Sequence, residues 1–202
     1  MWQSPVMTST AHRPPTPRQV ELLGRLEALV LAEGFAHFTL DNLAARLRCS
    51  KSTLYALAAS KEQLAVRVVG RYFKGAAERI ERKIAGIEDI RVRIGTYLAG
   101  AAEELRKASA KFIADVSAFA PTRTTYERNA RAAAQRIREF IQEGVHSGVF
   151  REVHASLIAE MVGLLIESIQ TGVLTRRAAV ADSEAFTALG ELLLDGLHRS
   201  EP

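Results

Sequence analysis

Apolar residues recur at spacings of three and four along much of the chain, which is the repeat of an α-helix with one buried face. The first such stripe follows Thr16 and Pro17, which with Gln19 form a capping box that has a proline in the first turn. Gly34 ends the stripe, because glycine readily adopts the left-handed angles of a helix exit. The pattern predicts one helix between these points, with a buried face of Leu22, Leu23, Leu26, Leu29 and Val30.

Two short apolar stripes come next. Thr39 is a typical N-terminal cap for the first, which runs to Leu47. Ser50 caps the second, which extends from Lys51 to about Leu57. A helix this short is not stable alone, so neighbouring helices must hold it in place.

A long helix follows the two short ones. Ser60 and Gln63 form a second capping box, and the apolar stripe behind them continues to Gly86. Two short helices joined by a tight turn, with a longer helix on each side, are typical of the helix-turn-helix unit that binds DNA. The second short helix of that unit enters the major groove. The segment from Ser50 is therefore predicted to face outward, amino end first.

Beyond Gly86 the same spacing predicts five further helices, so we expect an all-α chain of about nine helices. Pro121 is expected to stop a short helix. Thr124 with Glu127 is expected to cap a long helix that ends at Gly148. The second half of the chain is thus predicted to be a helical domain.

Two C-terminal segments, 154–174 and 183–198, are apolar around much of their circumference. One protomer cannot easily cover such surfaces, so the two segments are expected to form a four-helix interface between two copies of the chain. The alternative is that both segments form the buried centre of a monomer.

Composition places the chain among ordinary soluble globular proteins, since 48% of its 202 residues are hydrophobic and 25% are charged. Cys49 is the only cysteine, which excludes an intramolecular disulfide and favours the cytoplasm. Residues 1–16 are rich in proline and lack an apolar run, so we interpret them as a disordered arm and not as a signal peptide. Glu160 and Glu167 interrupt the longest apolar stretch, so no membrane association is expected.

Positive charge is concentrated in the N-terminal part. Residues 1–83 hold 13 Lys and Arg against 7 Asp and Glu, whereas residues 84–202 hold 14 against 16, giving net charges of +6 and −2. This asymmetry is typical of a protein with one region that meets a polyanion. Metal-ligand spacings, glycine-rich phosphate loops and nucleophile motifs are missing from the sequence, so we expect neither an enzyme nor a metal or other cofactor.

Five N-terminal motifs stand within about 50 residues: Gly34-Phe35, Thr39-Leu40, Leu43-Ala44, Ser50-Lys51-Ser52-Thr53-Leu54-Tyr55 and Ser60-Lys61-Glu62-Gln63-Leu64. Together they resemble the DNA-binding domain of tetracycline-repressor-type (TetR) transcriptional regulators. The resemblance implies a homodimeric repressor that binds a palindromic double-stranded DNA operator and is released from it by a small-molecule effector. It also implies a helix-turn-helix domain at 17–64, joined by a long helix to an effector-binding and dimerisation domain at 65–202.

Positions that match the family motif carry its implied roles. Contacts to DNA phosphates are implied for Thr39, Tyr55 and Lys61. Contacts to base edges in the major groove are implied for Lys51, Ser52 and Thr53.

The effector site is expected among the C-terminal helices, as an apolar pocket with a few polar anchors. A small apolar or amphipathic ligand would suit such a pocket. Seven residues at the boundaries between apolar and polar helix faces are candidates for its lining: Phe112, Asp115, Phe119, Tyr126, Met161, Glu167 and Gln170.

Three positions depart from the family pattern. Arg48 replaces the usual turn glycine, so either a non-glycine residue adopts left-handed angles or the turn differs. Leu57 and Ala58 replace a histidine and an aromatic residue, which removes a phosphate contact and thins the packing behind the recognition helix. These departures leave a second hypothesis open, a helical protein-interaction or small-molecule carrier module with a degenerate helix-turn-helix. For Cys49, redox sensing and apolar packing both remain open.

Overall fold

The computed structural model describes residues 16–197, with the side chain of Gln170 outside the described part. Apart from Thr16, the arm expected at 1–16 also lies outside the described residues. Within 16–197 the chain forms ten α-helices, so the predicted all-α fold with an N-terminal helix-turn-helix is confirmed. The helices are α1 (Pro17–Glu33), α2 (Leu40–Leu47), α3 (Lys51–Tyr55), α4 (Lys61–Ile84), α5 (Ile90–Arg106), α6 (Ala110–Ala118), α7 (Ala120–His146), α8 (Ala155–Gln170), α9 (Val173–Ala178) and α10 (Asp182–Leu197).

Hydroxyl caps begin the first four helices where the sequence predicts them. The Thr16 hydroxyl accepts a hydrogen bond from the backbone N–H of Gln19, whose side chain accepts one in return from the N–H of Thr16. Thr39 and Asn42 form a second reciprocal box at the start of α2. Such caps satisfy amide groups that the first helical turn leaves unpaired. The other two caps are Ser50 and Ser60.

The start of α7 differs from the prediction. The helix begins at Ala120 and takes Pro121 into its first turn, where no intrahelical partner exists for the missing N–H. The Thr124 hydroxyl donates to the Ala120 carbonyl inside that turn, 3.2 Å away. The expected cap formed by Thr124 and Glu127 was therefore wrong, because the proline signal, and not the hydroxyl, marks the start of this helix.

Smaller boundary differences lie elsewhere. Gly172 adopts a φ of 69° and divides one expected apolar helix into α8 and α9, which gives one helix more than the nine expected. The Ser60 hydroxyl caps α4, but the Gln63 side chain accepts from the N–H of Ala59, so no reciprocal box closes there. The third helix ends at Tyr55, two residues earlier than expected.

Two apolar cores hold the helices together, and α4 contributes to both. The first core joins α1, α2 and α3 to the first half of α4, to α6 and to the start of α7, and Leu26, Leu54 and Phe112 are almost fully enclosed in it. The second joins the rest of α4 to α5, α7, α8 and α10, around residues such as Ile94 and Ile137. Burial of each such side chain contributes roughly 1.5–3 kcal/mol. The N-terminal and C-terminal parts are therefore packed together through α4 and α6.

The C-terminal helices pack side by side. The fifth helix lies against α4 and α10, and α7 lies against α4 and α8. Within residues 16–197, no helix has both the length and the apolar character that crossing a membrane requires. The packing leaves a cavity between α4, α5 and α7.

Candidate DNA-reading surface and internal cavity

The turn between α2 and α3 is tight and closed by backbone hydrogen bonds. Arg48 adopts left-handed angles, with a φ of 52° and a ψ of 49°. The N–H of Cys49 then donates to the Ala44 carbonyl at 3.0 Å, which closes the end of α2. A non-glycine residue thus takes the conformation that a turn glycine usually provides, at a cost of about 1–2 kcal/mol. The helix-turn-helix keeps its geometry despite this departure.

The third helix presents its amino end to solvent while one side chain anchors it. Lys51 and Ser52 are exposed and Thr53 is half-buried. Leu54 points into the first core and is 1% exposed. The Ser50 hydroxyl lies 2.7 Å from that of Ser52 and 2.8 Å from that of Thr53, so three hydroxyls cluster at this end. The predicted outward placement of the segment from Ser50 is confirmed.

Lys51 and Tyr55 stand on either side of this hydroxyl cluster. The Lys51 ammonium pairs with the Asp41 carboxylate on α2, and this hydrogen bond raises the pKa of Lys51. Both side chains of the pair are more than half exposed, so the lysine can exchange this partner for DNA at little cost. Tyr55 is 51% exposed, although large aromatic side chains are usually buried. The Tyr55 side chain is therefore accessible to a partner.

The two remaining DNA-contact candidates have partners within the protein. Exposed Thr39 caps α2, and its hydroxyl lies 2.8 Å from the Asn42 side-chain oxygen. The half-buried Lys61 donates from Nζ to the Ala36 carbonyl at 2.7 Å, which fixes the loop after α1 to the start of α4. Thr39 is thus free to meet solvent, whereas Lys61 also has a structural contact.

Arginines that the sequence analysis did not single out brace the ends of both short helices. Arg25 on α1 donates to the Leu47 carbonyl at 2.8 Å, at the end of α2. Arg67 on α4 donates to the Leu57 carbonyl, just after α3. The last carbonyls of a helix lack intrahelical partners, and arginine satisfies them while its charge favours the helix dipole. Their sequence signal is weak, since each is one more arginine on a helix face.

The departures at Leu57 and Ala58 are accommodated by packing. Leu57 is 4% exposed within the first core, and Ala58 packs against the same core. Leu57 is therefore part of the apolar packing behind α3. Cys49 is half-buried against the first core.

A carboxylate from α6 holds the loop that follows α1. Asp115 Oδ2 accepts hydrogen bonds from the N–H of Phe35 at 2.6 Å and of Ala36 at 2.9 Å. The neighbouring Gly34 has a φ of 75°, and a Cβ there would lie 2.5 Å from the same oxygen. Glycine is thus required both by its backbone angles and by the close carboxylate. The contact ties the C-terminal part to the N-terminal part across 80 positions of sequence.

The cavity between α4, α5 and α7 has a volume of about 190 Å³, and one side chain each from α8 and α10 adds to its lining. It opens to solvent, since its lining includes the exposed residues Ala77, Glu81 and Ala132. Most of its surface is apolar. Its aromatic lining consists of Tyr72, Phe73, Tyr97 and Phe186, and its aliphatic lining of Ala76, Ala77, Ile80, Leu98, Ala101, Leu105, Ala132, Ala133 and Ile166. The polar and charged members are Glu81, Glu104, Asn129 and Arg136.

The charged groups at the cavity are already paired. Glu81 and Arg136 form two hydrogen bonds of 2.9 Å each. Glu104, whose side chain is 5% exposed, accepts from Arg79 at 2.9 and 2.7 Å and from Lys107 at 2.7 Å. Burial acts to raise the pKa of the Glu104 carboxyl, but these partners outweigh burial and hold that pKa below its usual value.

Two neutral polar groups at the cavity lack such partners. The Tyr97 hydroxyl makes no hydrogen bond to any residue of 16–197, and neither does the side chain of Asn129. Burial raises the pKa of Tyr97 to about 12, so its hydroxyl stays protonated and can donate. Both groups are therefore available to a ligand.

None of the six effector candidates whose side chains the structure describes lines this cavity. Phe112 packs edge-on against Tyr72, with ring centroids 5.5 Å apart, and Asp115 binds the loop after α1. Tyr126 packs edge-on against Phe73 at 5.5 Å, and its buried hydroxyl has no partner within 16–197. Phe119 lies 6.4 Å from the Phe35 ring, Met161 and Glu167 are exposed, and the Gln170 side chain is outside the described part. Phe112 and Tyr126 thus contact the lining residues Tyr72 and Phe73 from outside the cavity.

A set of large apolar side chains is exposed on α8 and α10, which pack against each other. The set comprises Leu157, Met161 and Leu164 on α8, and Leu192 on α10, each more than half exposed. The spacing of three and four places the first three on one face of α8. Part of each predicted interface segment is thus uncovered in a single protomer.

No protein-family model matches this sequence, and no curated protein sequence matches it either. Solved structures do match it. A protein from Saccharomonospora viridis, described as a transcriptional regulator and solved in complex with choline, is 19% identical, with a TM-score of 0.73 over 91% of this chain and 98% of that chain. The TetR-family regulator PfmR from Thermus thermophilus is 22% identical, with a TM-score of 0.62 over 88% of this chain and 99% of that chain.

A third match is the transcriptional regulator FadR from Bacillus subtilis, solved in complex with stearoyl-CoA. It is 14% identical, with a TM-score of 0.69 over 89% of this chain and 99% of that chain. At such identities the likeness establishes the fold. The chain therefore has the all-helical fold of TetR-type transcriptional regulators over nearly its full length.

Proposed function

We propose that the protein is a ligand-responsive transcriptional regulator, a repressor that binds a palindromic DNA operator as a homodimer and acts in the cytoplasm without catalysing a reaction. The observation that carries the proposal is the placement of α3. Its amino end, with Lys51 and three clustered hydroxyls, faces solvent, while Leu54 fixes the helix to the first core. A short helix presented in this way fits the width of the major groove.

The residues around α3 form two groups in this proposal, one that contacts bases and one that contacts phosphates. Lys51, Ser52 and Thr53 read base edges in the groove, because their donors lie at the exposed amino end of α3. Thr39, Tyr55 and Lys61 contact phosphates on either side and set the position of α3 without sequence preference. The positive charge of residues 1–83 supports association with the DNA polyanion.

The exposed apolar set on α8 and α10 supports the homodimer. Four large apolar side chains on two adjacent helices are each more than half exposed, and clustered exposed apolar side chains are typical of interaction surfaces. Two copies related by a two-fold axis would cover this set with a four-helix interface and place two α3 helices side by side. We therefore assign helix-turn-helix reading to 17–64, and effector binding and dimerisation to 65–202.

The ligand response is supported by contacts that lead from the cavity to the loop between α1 and α2. The Tyr72 ring lines the cavity and packs on Phe112 of α6, where Asp115 holds the loop after α1. A ligand that shifts Tyr72 thus acts on the loop to which Lys61 is also bonded. The solved neighbours in complex with choline and with stearoyl-CoA support ligand binding in this fold. A ligand that binds the dimer more tightly at one spacing of its two DNA-binding domains than at another would shift the population towards that spacing.

The experiment that tests the proposal is selection of bound sequences from random DNA by the purified full chain. We expect a palindrome with half-sites about one helical turn apart, or offset by a small multiple. Lys51→Ala should relax the sequence preference, and Tyr55→Ala should weaken binding to all sequences alike. Arg177→Ala on α9, which also removes one exposed cation, is the matched control and should change neither. Equal binding of every sequence by the unmodified protein would contradict the proposal.

A further inference from the structure

The sixth helix is bonded to the end of α1 at two separate points. The N–H of Ser109, the cap of α6, donates to the Leu31 carbonyl in the last turn of α1 at 2.8 Å. Further along α6, Asp115 accepts from the loop after α1, at 2.6 Å from the N–H of Phe35 and 2.9 Å from that of Ala36. A single bonded point would let the two helices rotate about it, whereas two points fix the direction of α1 relative to α6.

The opposite side of the same loop is bonded to α4. The carbonyl of Ala36 accepts from the Lys61 ammonium at 2.7 Å, while the N–H of Ala36 donates to Asp115. Both partners are charged side chains, and hydrogen bonds to charged groups are stronger than those between neutral groups. Ala36 is thus held between α6 and α4 through its own backbone.

These bonds supply a direction that apolar packing supplies less sharply. Apolar burial is non-directional, whereas a hydrogen bond weakens steeply as its donor angle departs from linear. A small tilt of α1–α3 relative to α6 therefore breaks the Asp115 bonds before it uncovers much of the first core. The loop is also shaped around this carboxylate, since Gly34 has a φ of 75° and a Cβ there would lie 2.5 Å from Asp115 Oδ2.

From this arrangement we infer that Asp115 sets the distance between half-sites that the protein accepts in its operator. The inference rests on the proposed function, because it requires two copies of the reading head, formed by α1–α3, on one DNA. A dimer binds half-sites at the spacing of its two recognition helices, so the angle of each head decides which spacing fits. Asp115 is thus a positioning residue that acts through the loop after α1, while α3 keeps its preference for the sequence of each half-site.

Selection from a DNA library tests the inference. The library contains two copies of the preferred half-site, separated by every distance up to about 20 base pairs, or two helical turns. The unmodified full chain should enrich one spacing and its repeats at whole helical turns. Asp115→Ala should spread the enrichment over neighbouring spacings and weaken binding at the best spacing about tenfold, as loss of its charged hydrogen bonds predicts. An unchanged spacing profile would overturn the inference.

A second selection, from random DNA, checks that the effect is confined to spacing. The unmodified chain and Asp115→Ala should return the same half-site sequence, because the residues of α3 are intact in both. A different half-site sequence would overturn the inference, since the substitution would then act on α3 itself.

Three further variants separate positioning from loss of stability. Asp115→Asn keeps an oxygen acceptor and should give a narrower profile than Asp115→Ala. Val116→Ala removes a fully buried side chain at the next position of α6 but keeps the carboxylate, so it should lower the melting temperature without broadening the profile. Glu152→Ala removes an exposed carboxylate between α7 and α8 and should change neither. Equal broadening in Val116→Ala and Asp115→Ala, or no rescue in Asp115→Asn, would overturn the inference.

Hydrogen exchange reports the same bonds without DNA. Asp115→Ala should speed exchange of the Phe35 and Ala36 amides about tenfold, because both lose their acceptor, whereas Glu152→Ala should leave it unchanged. Unchanged exchange in Asp115→Ala would show that the carboxylate does not hold the loop and would overturn the inference.

The selections also distinguish failure of this inference from failure of the proposed function. If the unmodified chain selects a palindrome and Asp115→Ala selects the same spacing, the role of Asp115 is overturned and the regulator is retained. If the unmodified chain binds every sequence and every spacing equally, both are overturned.

Discussion

In the N-terminal part, four helices in succession begin at a threonine or serine whose hydroxyl binds the first turn. In the C-terminal part the helix starts are more varied: Asp89, Ser109 and His154 cap α5, α6 and α8, whereas α7 begins after Phe119 and α9 after Gly172 without a side-chain cap. The C-terminal part also contains the cavity and most of the exposed large apolar side chains. Hydroxyl caps thus begin every helix of the helix-turn-helix part, whereas two helices of the C-terminal part begin without a side-chain cap.

The largest effect is expected where the reading helix depends on a single anchor. Leu54→Ala should lower the free energy of unfolding by about 2–5 kcal/mol, because Leu54 is 1% exposed and its loss leaves a cavity in the first core. Urea denaturation followed by circular dichroism measures the change. Tyr55→Ala, one position on and 51% exposed, is the control and should stay within about 0.5 kcal/mol. Similar losses in both variants would show that the anchor is not specific.

The next largest effect tests packing in the C-terminal part. Glu104→Gln should cost about 1–3 kcal/mol at pH 7, because a buried carboxylate loses its charged hydrogen bonds to Arg79 and Lys107. Glu103→Gln removes an exposed pair with Lys83 and should cost less than about 1 kcal/mol. Urea denaturation at pH 7 measures both variants.

The pH dependence of the stability difference between the unmodified protein and Glu104→Gln provides a second test. The pKa of Glu104 is lowered in the folded protein, so its stabilisation is present above the usual value of 4.5 and is lost as pH falls through the lower folded pKa. The gap between the unmodified protein and Glu104→Gln should therefore close in acid. A gap that stays constant from pH 7 into acid would contradict the ion-pair account.

A smaller effect compares two threonines that look alike in sequence. Thr39→Ala removes a real cap and should cost about 1 kcal/mol. Thr124→Ala removes a hydroxyl that only bonds back to a carbonyl within α7, so alanine should be neutral or slightly stabilising there. Thermal unfolding measures the stability of both variants. An equal loss of stability in Thr124→Ala would show that Thr124 does act as a cap.

The smallest effect concerns the strained turn. Arg48→Gly should raise the free energy of unfolding by up to about 1 kcal/mol, because glycine adopts left-handed angles without a Cβ clash. Ala45→Gly, in exposed mid-helix of α2, is the control and should cost about 0.5–1 kcal/mol. A loss in both variants would mean that the arginine side chain contributes more than its backbone strain costs.

Local signals account for the elements that could be predicted from sequence. Thr16, Thr39, Ser50 and Ser60 each act within four residues, so the helix-turn-helix and the outward placement of its reading helix follow from short stretches of sequence. The cavity does not follow in this way, because Tyr97 and Asn129 lie on different helices that only tertiary packing brings together. Asp115 was expected to line the effector pocket, but it accepts hydrogen bonds from residues 79 and 80 positions away. No local pattern indicates such a pairing.

The fourth helix contributes to both apolar cores and also connects the cavity with the helix-turn-helix. Its 24 residues extend roughly 36 Å, and it forms part of the cavity at one section while its first turn adjoins the reading head. Tilting a rod of that length by about 5° displaces its far end by roughly 3 Å. If two copies pair symmetrically, as proposed, the two displacements add, so a small ligand that tilts α4 would change the spacing of the two heads by more than the tilt of either helix alone.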